Sequence, residues 1–154
     1  MSLSPTQDTT LMETHRQVIQ RIVDELFNQD RYDIIDELYN DELRNHDKSL
    51  PNQPDSKQEL VKLLQFHRRA FPDLKYSLQT VLCEGDMTAF RWTVNGTHTG
   101  PLGDVAPTGN PFKVEGMSFA KFVDGKISVI WQLHDTEAIY TQLGLPPIAI
   151  AVKD

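Results

Sequence analysis

Cysteine is all but missing from this 154-residue chain. Cys83 stands alone, so no intramolecular disulfide can form and the paired cysteines of a structural zinc site are lacking. A reducing, cytoplasmic setting is expected from that usage. Positive charge is also short: 15 Lys and Arg face 22 Asp and Glu, a formal net charge of −7. That balance excludes the basic footprint used on nucleic acid or an anionic membrane. No run of about 18 consecutive apolar residues predicts a membrane-spanning helix, and Met1–Thr9 lacks the basic start and apolar stretch of a signal peptide. The sequence also lacks G-x-G-x-x-G, G-x-x-x-x-G-K-[ST] and G-x-S-x-G, and its histidines lack H-x-x-x-H spacing. Nucleotide binding, serine hydrolysis and metal ligation therefore lose their usual support, and no cofactor is expected.

What is present suffices for one domain. Chains of this length bury roughly 70% of the surface they expose when unfolded, and 39% of the residues are hydrophobic. The chain reads as a single domain over 1–154, with 1–9 a frayed leader and 145–154 an extended tail strapped across its own domain or a neighbour. Thr10 and Glu13 have capping-box spacing. Val18, Ile19, Ile22, Val23, Leu26 and Phe27 then recur at helical intervals and predict a first helix. Ile34, Ile35, Leu38 and Tyr39 predict a second, shorter one, and Ser56 with Glu59 opens a third that Pro72 cannot continue. From Lys75 the period falls to near two. Four antiparallel strands are predicted over Tyr76–Leu82, Asp86–Val94, Phe112–Val123 and Lys126–Leu133. Asp124-Gly125 suits a type I′ hairpin, and pairing Val123 with Lys126 sets Ser118 opposite Trp131 and Ala120 opposite Val129. Helices first and a meander after make an α+β domain, with helices on one face of a curved antiparallel sheet.

The segment Gly96–Pro111 holds four of the eight glycines and three of the nine prolines, between strands that a tight turn would serve. It reads equally as a flexible flap or as a rim facing substrate. Gly96-Thr97-His98-Thr99-Gly100, Pro107-Thr108-Gly109, Asp124-Gly125-Lys126-Ile127, Trp131, Asp135 and Gln142-Leu143-Gly144, with Asn45-His46-Asp47 and Phe71-Pro72-Asp73, resemble the SnoaL-like polyketide cyclase (ester cyclase) family. The resemblance spans nearly the whole chain beyond the leader. It implies the cone-shaped α+β fold of the nuclear transport factor 2-like superfamily, N-terminal helices on the concave face of the sheet, an internal cavity and frequent oligomerisation.

In the characterised cyclases an Asp matching Asp135 is the acid/base group of an intramolecular aldol condensation that uses no metal or organic cofactor. An apolar surround would raise the basicity of such a carboxylate. Strand alternation puts Ile127, Val129, Trp131 and Leu133 on the face of Asp135, with Ser118, Ala120 and Phe122 beside them. An Asp here also suits the N-cap of a following helix. The resemblance favours catalysis. His98 matches the family's histidine and reads either as a substrate polariser or as a local anchor of the long loop. Substrate-binding candidates are Trp131, Ser118, His46, Trp92 and Arg91, while His134 falls on the opposite face and His15 and His67 on helices, without a role. Met117, Phe119 and Ile130 form an apolar face that suggests a homodimer. The expected function is a cofactor-independent cyclase- or isomerase-type enzyme acting on a small apolar carbonyl compound. The alternative is a binding protein that sequesters such a ligand unchanged.

Overall fold

The computed structural model describes residues 4–47 and 53–146. The predicted strap lies outside them from residue 147 on. Helix α1 spans Pro5–Arg21 and starts earlier than the sequence suggested. Ser4 is the N-cap in a capping box with Gln7, and Pro5 occupies the first helical turn, where its missing N–H costs nothing. Thr10 lies inside the helix and bonds back to the carbonyl of Thr6. The predicted stripe continues through Ile22–Phe27, but these six residues wind as a π-helix, with the Asn28 N–H reaching back to the Val23 carbonyl. The wider turn aims Ile22, Val23 and Phe27 at the sheet.

After a 3-10 turn (Tyr32–Ile34) and the short α2 (Ile35–Leu38), the chain runs extended as β1, Tyr39–Asp47. This strand was hidden in the sequence. Its apolar residues, Tyr39 and Leu43, are four apart, and most of the rest is charged or amide-bearing. Such a composition opposes strand propensity but suits an exposed sheet edge. Helix α3 (Lys57–Ala70) starts at Ser56, whose Oγ accepts from the Glu59 N–H, and stops before Pro72 as predicted. Strands β2 (Lys75–Glu84), β3 (Met87–Thr97), β4 (Pro111–Val123) and β5 (Lys126–His134) follow, then α4 (Thr136–Leu143). Gly144 closes α4 in the left-handed region, at φ 73°.

The sheet order is β1-β5-β4-β3-β2. The class is α+β, with a curved, unclosed sheet of five strands and the helices on its inner face. The sheet is mixed: β2 to β5 form the predicted antiparallel meander, but β1 pairs with β5 in parallel. The β4–β5 hairpin has the expected turn, with φ of 52° at Asp124 and 76° at Gly125. Its register departs from expectation. Phe122 pairs with Ile127, but Lys121 then pairs with Val129, so Ser128 is an extra residue in β5. A one-residue slip exchanges the two faces. Beyond the bulge Ser118 lies opposite Gln132 and Ala120 opposite Ile130, while Trp131 lies opposite Phe119.

One core joins α1, the π-helix, α2 and β1 through Ile19, Leu26, Leu38 and Tyr39. A second joins the end of α3 to β3, β4 and α4 through Phe71, Trp92, Phe112 and Leu143. Arg68 ties α3 to the first half: its guanidinium donates to the carbonyls of Phe27 (2.6 Å) and Leu74 (2.7 Å) and pairs with Asp30.

Candidate functional site

Between the two cores lies a cavity of about 880 Å³. It is within the range of small-molecule sites. The π-helix supplies Val23 and Phe27, α3 supplies Leu60 and Leu64, and the sheet supplies Phe90 and Ile130, so most of the lining is apolar. Leu102, from the long loop, completes one wall. The Gly100 N–H holds that loop to the Ala70 carbonyl, where a Cβ on residue 100 would come within 1.8 Å of the Arg69 oxygen.

Polar groups gather at one end. Asn45 and Asp47 close β1, Gln132 and His134 close β5, His67 comes from α3, and Thr136, Glu137 and Tyr140 come from α4. Glu137 is the one exposed residue of the lining. Asp47 is 2% exposed. Parallel pairing places it beside Gln132, whose Nε2 donates to Asp47 Oδ2 at 3.0 Å. The Ser118 hydroxyl donates to Gln132 Oε1 (3.5 Å), and the Trp92 indole donates to Ser118 Oγ (2.9 Å). Burial pushes the His67 imidazole down to about 4, aided by His134 and opposed by Asp47. Burial also lowers His134, against the charges of Asp47 and Asp135. Both rings are thus held neutral near pH 7, each with one donor and one acceptor nitrogen. Asn45 Oδ1 and Thr136 Oγ1 are buried with no hydrogen-bond partner among the described residues. Those residues contain no group of three His, Cys, Asp or Glu side chains placed to hold a metal ion.

A carboxylate and two neutral imidazoles sit at the polar end of an otherwise apolar pocket, and the family match covers the elements that build it. Residues 17–143 fit the model of the SnoaL-like polyketide cyclases. The chain belongs to the SnoaL-like polyketide cyclase family. Among solved structures it is similar to AclR of Streptomyces galilaeus, described as a candidate hydroxylase, with 26% identity, 92% of this chain and 91% of that one covered, and a TM-score of 0.75. IdmH of Streptomyces antibioticus, a candidate polyketide cyclase, gives 25% identity, coverages of 85% and 99%, and a TM-score of 0.73. A SnoaL-like protein of Jannaschia sp. CCS1 shares the fold at 21% identity, coverages of 96% and 99%, and a TM-score of 0.79. No curated protein gives a significant match.

The structure distributes the residues singled out from the SnoaL-like pattern over both faces of the sheet. Asp135 is exposed, is not part of the cavity lining, and caps α4: its Oδ1 accepts from the Ala138 N–H at 2.9 Å. Trp131 and Leu133, 39% and 61% exposed, lie on the outer face because of the bulge at Ser128. His46 is outside as well, stacked on Trp131 with ring centroids 5.6 Å apart. Arg91 points outward to Glu115, at 3.6 Å. Trp92 and Ser118 are inside and bonded to each other. His98 is fully buried, but its Nδ1 accepts from the Thr108 N–H and its ring packs on Phe71, so it anchors the long loop rather than lining the cavity. His15 is stacked on Phe122 at 4.0 Å and does not line the cavity.

His67, His134, Gln132 and Asp47 line the cavity, although the sequence pattern singles out none of them as a site residue. His134 was correctly placed opposite Asp135, but that face is the inner one. The available signal was the run of Ile130, Gln132 and His134 at period two, which only the bulge turns inward.

Proposed function

We propose that this SnoaL-like protein is an enzyme of cyclase or isomerase type that moves a proton on a small, apolar, polyketide-like carbonyl compound bound in the cavity, without a cofactor. The observation that carries the reading is a carboxylate, Asp47, at 2% exposure at the polar end of an otherwise apolar pocket. A carbon acid flanked by a carbonyl places its apolar body against Val23, Phe27 and Leu64 and its carbonyl among the donors at the polar end. Asp47 removes the C–H proton, and a neutral imidazole N–H from His134 or His67 supports the developing enolate oxygen. In an aldol closure the enolate carbon then attacks a second carbonyl of the same molecule, forming one C–C bond. The new alkoxide recovers the proton from Asp47, so nothing is consumed. Asp135 acts indirectly, by capping the helix that carries Thr136, Glu137 and Tyr140 and through its charge on His134.

The predominance of apolar side chains in the lining favours a second reading, sequestration of an unreacted ligand. Incubation with neutral aryl ketones and β-keto esters in D2O separates the two. Native mass spectrometry reads binding, and NMR reads deuterium at the carbon next to the carbonyl. Exchange faster than in buffer is expected, whereas tight binding with no exchange for any bound compound overturns the enzymatic reading.

We also propose that a second copy covers the outer face. Leu82, Met117, Phe119 and Leu133 are each more than half exposed there. The ion pairs Arg91–Glu115 and Lys121–Asp86 put both charge signs on the same surface, as a two-fold contact between identical patches requires.

A further inference from the structure

Three register pairs bring a tryptophan and a carboxylate on different strands into one hydrogen-bonded line. Trp92 on β3 pairs with Gly116 on β4, Ser118 on β4 pairs with Gln132 on β5, and Gln132 pairs with Asp47 on β1. Gly116 leaves the room this needs. A Cβ there would sit 2.2 Å from Trp92 Cζ2, so the indole lies over the bare backbone of β4 and reaches Ser118, two residues farther along the same face. The end groups fix the sense of the line. An indole N–H only donates and an ionised carboxylate only accepts. The hydroxyl of Ser118 and the amide of Gln132, each able to turn either way, are thereby set with every donor aimed toward Asp47. Bonds aligned in one sense polarise one another, and more so in a dry interior.

We propose that Trp92, Ser118 and Gln132 are positioning residues that hold the Asp47 carboxylate in one orientation in the cavity, and that the Trp92 indole N–H senses the charge on Asp47 through the line. The inference rests on the reading of Asp47 as the proton-accepting group. It assigns work to residues on β3 and β4 that do not touch the carboxylate. Loss of the line is expected to slow any carbon-acid exchange by about 10- to 100-fold, the scale of a small misplacement of a reacting group.

The charge of Asp47 acts on His134 of β5, His67 of α3 and Tyr76 of β2, and Tyr39 of β1 and Glu137 and Tyr140 of α4 are the other titratable groups lining the same cavity. His134 lies 5.9 Å from the Trp92 ring and must be separated from Asp47 as the source of any signal. The test follows the indole 1H–15N resonances of the full chain against pH, with the Asp47 carboxyl carbon recorded in parallel. The Trp92 resonance is expected to step with the same midpoint as the Asp47 carbon, while Trp131, on the outer face, does not follow it. The step is expected to persist in His134→Gln and Ser118→Thr and to vanish in Ser118→Ala and Asp47→Asn. Ser118→Ala is expected to retain a titrating Asp47 carbon. A Trp92 resonance that stays flat while Asp47 titrates, or a step surviving Ser118→Ala, overturns the proposal. The readout needs no substrate. A step in a protein that never exchanges a ligand proton would sustain the line and defeat the enzymatic reading alone.

Discussion

Replacing Asp135 separates a helix cap from a catalytic base. The carboxylate is exposed, and its hydrogen bond is to the Ala138 N–H at 2.9 Å. Asp135→Ala leaves that N–H of α4 to water, and losing an N-cap costs about 1 kcal/mol, within roughly 0.5–2. At this chain length a loss of that size lowers Tm by about 2–4 °C. Asn is nearly as good a cap as Asp. Asp135→Asn is therefore expected to melt within about 1 °C of the parent, its remaining deficit being the few tenths of a kcal/mol that an exposed charge gains from the helix dipole. Removing the charge also takes away one influence that raises His134, so the His134 limb of a pH–rate profile moves to lower pH. Thermal melts of the two variants, with deuterium incorporation into a bound ketone, provide the assay. An exchange rate within about threefold of the parent is expected for Asp135→Asn. A folded, ligand-binding Asp135→Asn slowed by about 100-fold or more, the scale of losing a general base, would refute the assignment of Asp135 to capping.

Three further outcomes follow from the packing. His67 is held down to about 4 against an ordinary 6.5, so the unfolded chain binds more protons between those values. Stability is expected to fall as pH drops from 6.5 toward 4, by at most about 1.4 kcal/mol per pH unit. Denaturant titrations should find that slope reduced in His67→Gln; an unchanged slope contradicts burial as its source. Gly116→Ala forces the Trp92 ring off β4, and overpacking with loss of the indole–Ser118 bond is expected to cost about 2–4 kcal/mol. A melt within 1 °C of the parent contradicts the contact. In light scattering the parent is expected as a dimer and Phe119→Glu as a folded monomer, and a monomeric parent at micromolar concentration contradicts the two-fold contact.

Much of the fold was legible because its signals are local. The period-two runs gave the meander, Ser56 and Pro72 gave both ends of α3, and Asp124-Gly125 gave the hairpin. The edge strand β1 was not legible, because its charged residues take an extended form only through pairing with β5. The site was lost at a single residue. Alternation along β5 was read correctly at both His134 and Asp135, but without the bulge at Ser128 the hairpin register assigns the inner face to the wrong set. Unbulged alternation puts Trp131 and Leu133 with Asp135 toward the pocket and Ile130 and His134 outside; the bulge reverses this. Asp47 and His46 were both visible in the Asn45-His46-Asp47 segment, but without β1 as a strand nothing distinguished the inward carboxylate from the outward imidazole.

The placement of the chemistry at Asp47 is tested most directly by the rate at which Asp47→Asn transfers deuterium from solvent to the carbon beside the carbonyl of a bound ketone. The substitution preserves shape and an acceptor for Gln132 while removing the base. With circular dichroism and ligand affinity held near the parent's, a fall of about 100-fold or more is expected, the scale of a positioned general base. Exchange by Asp47→Asn at the parent's rate would contradict it.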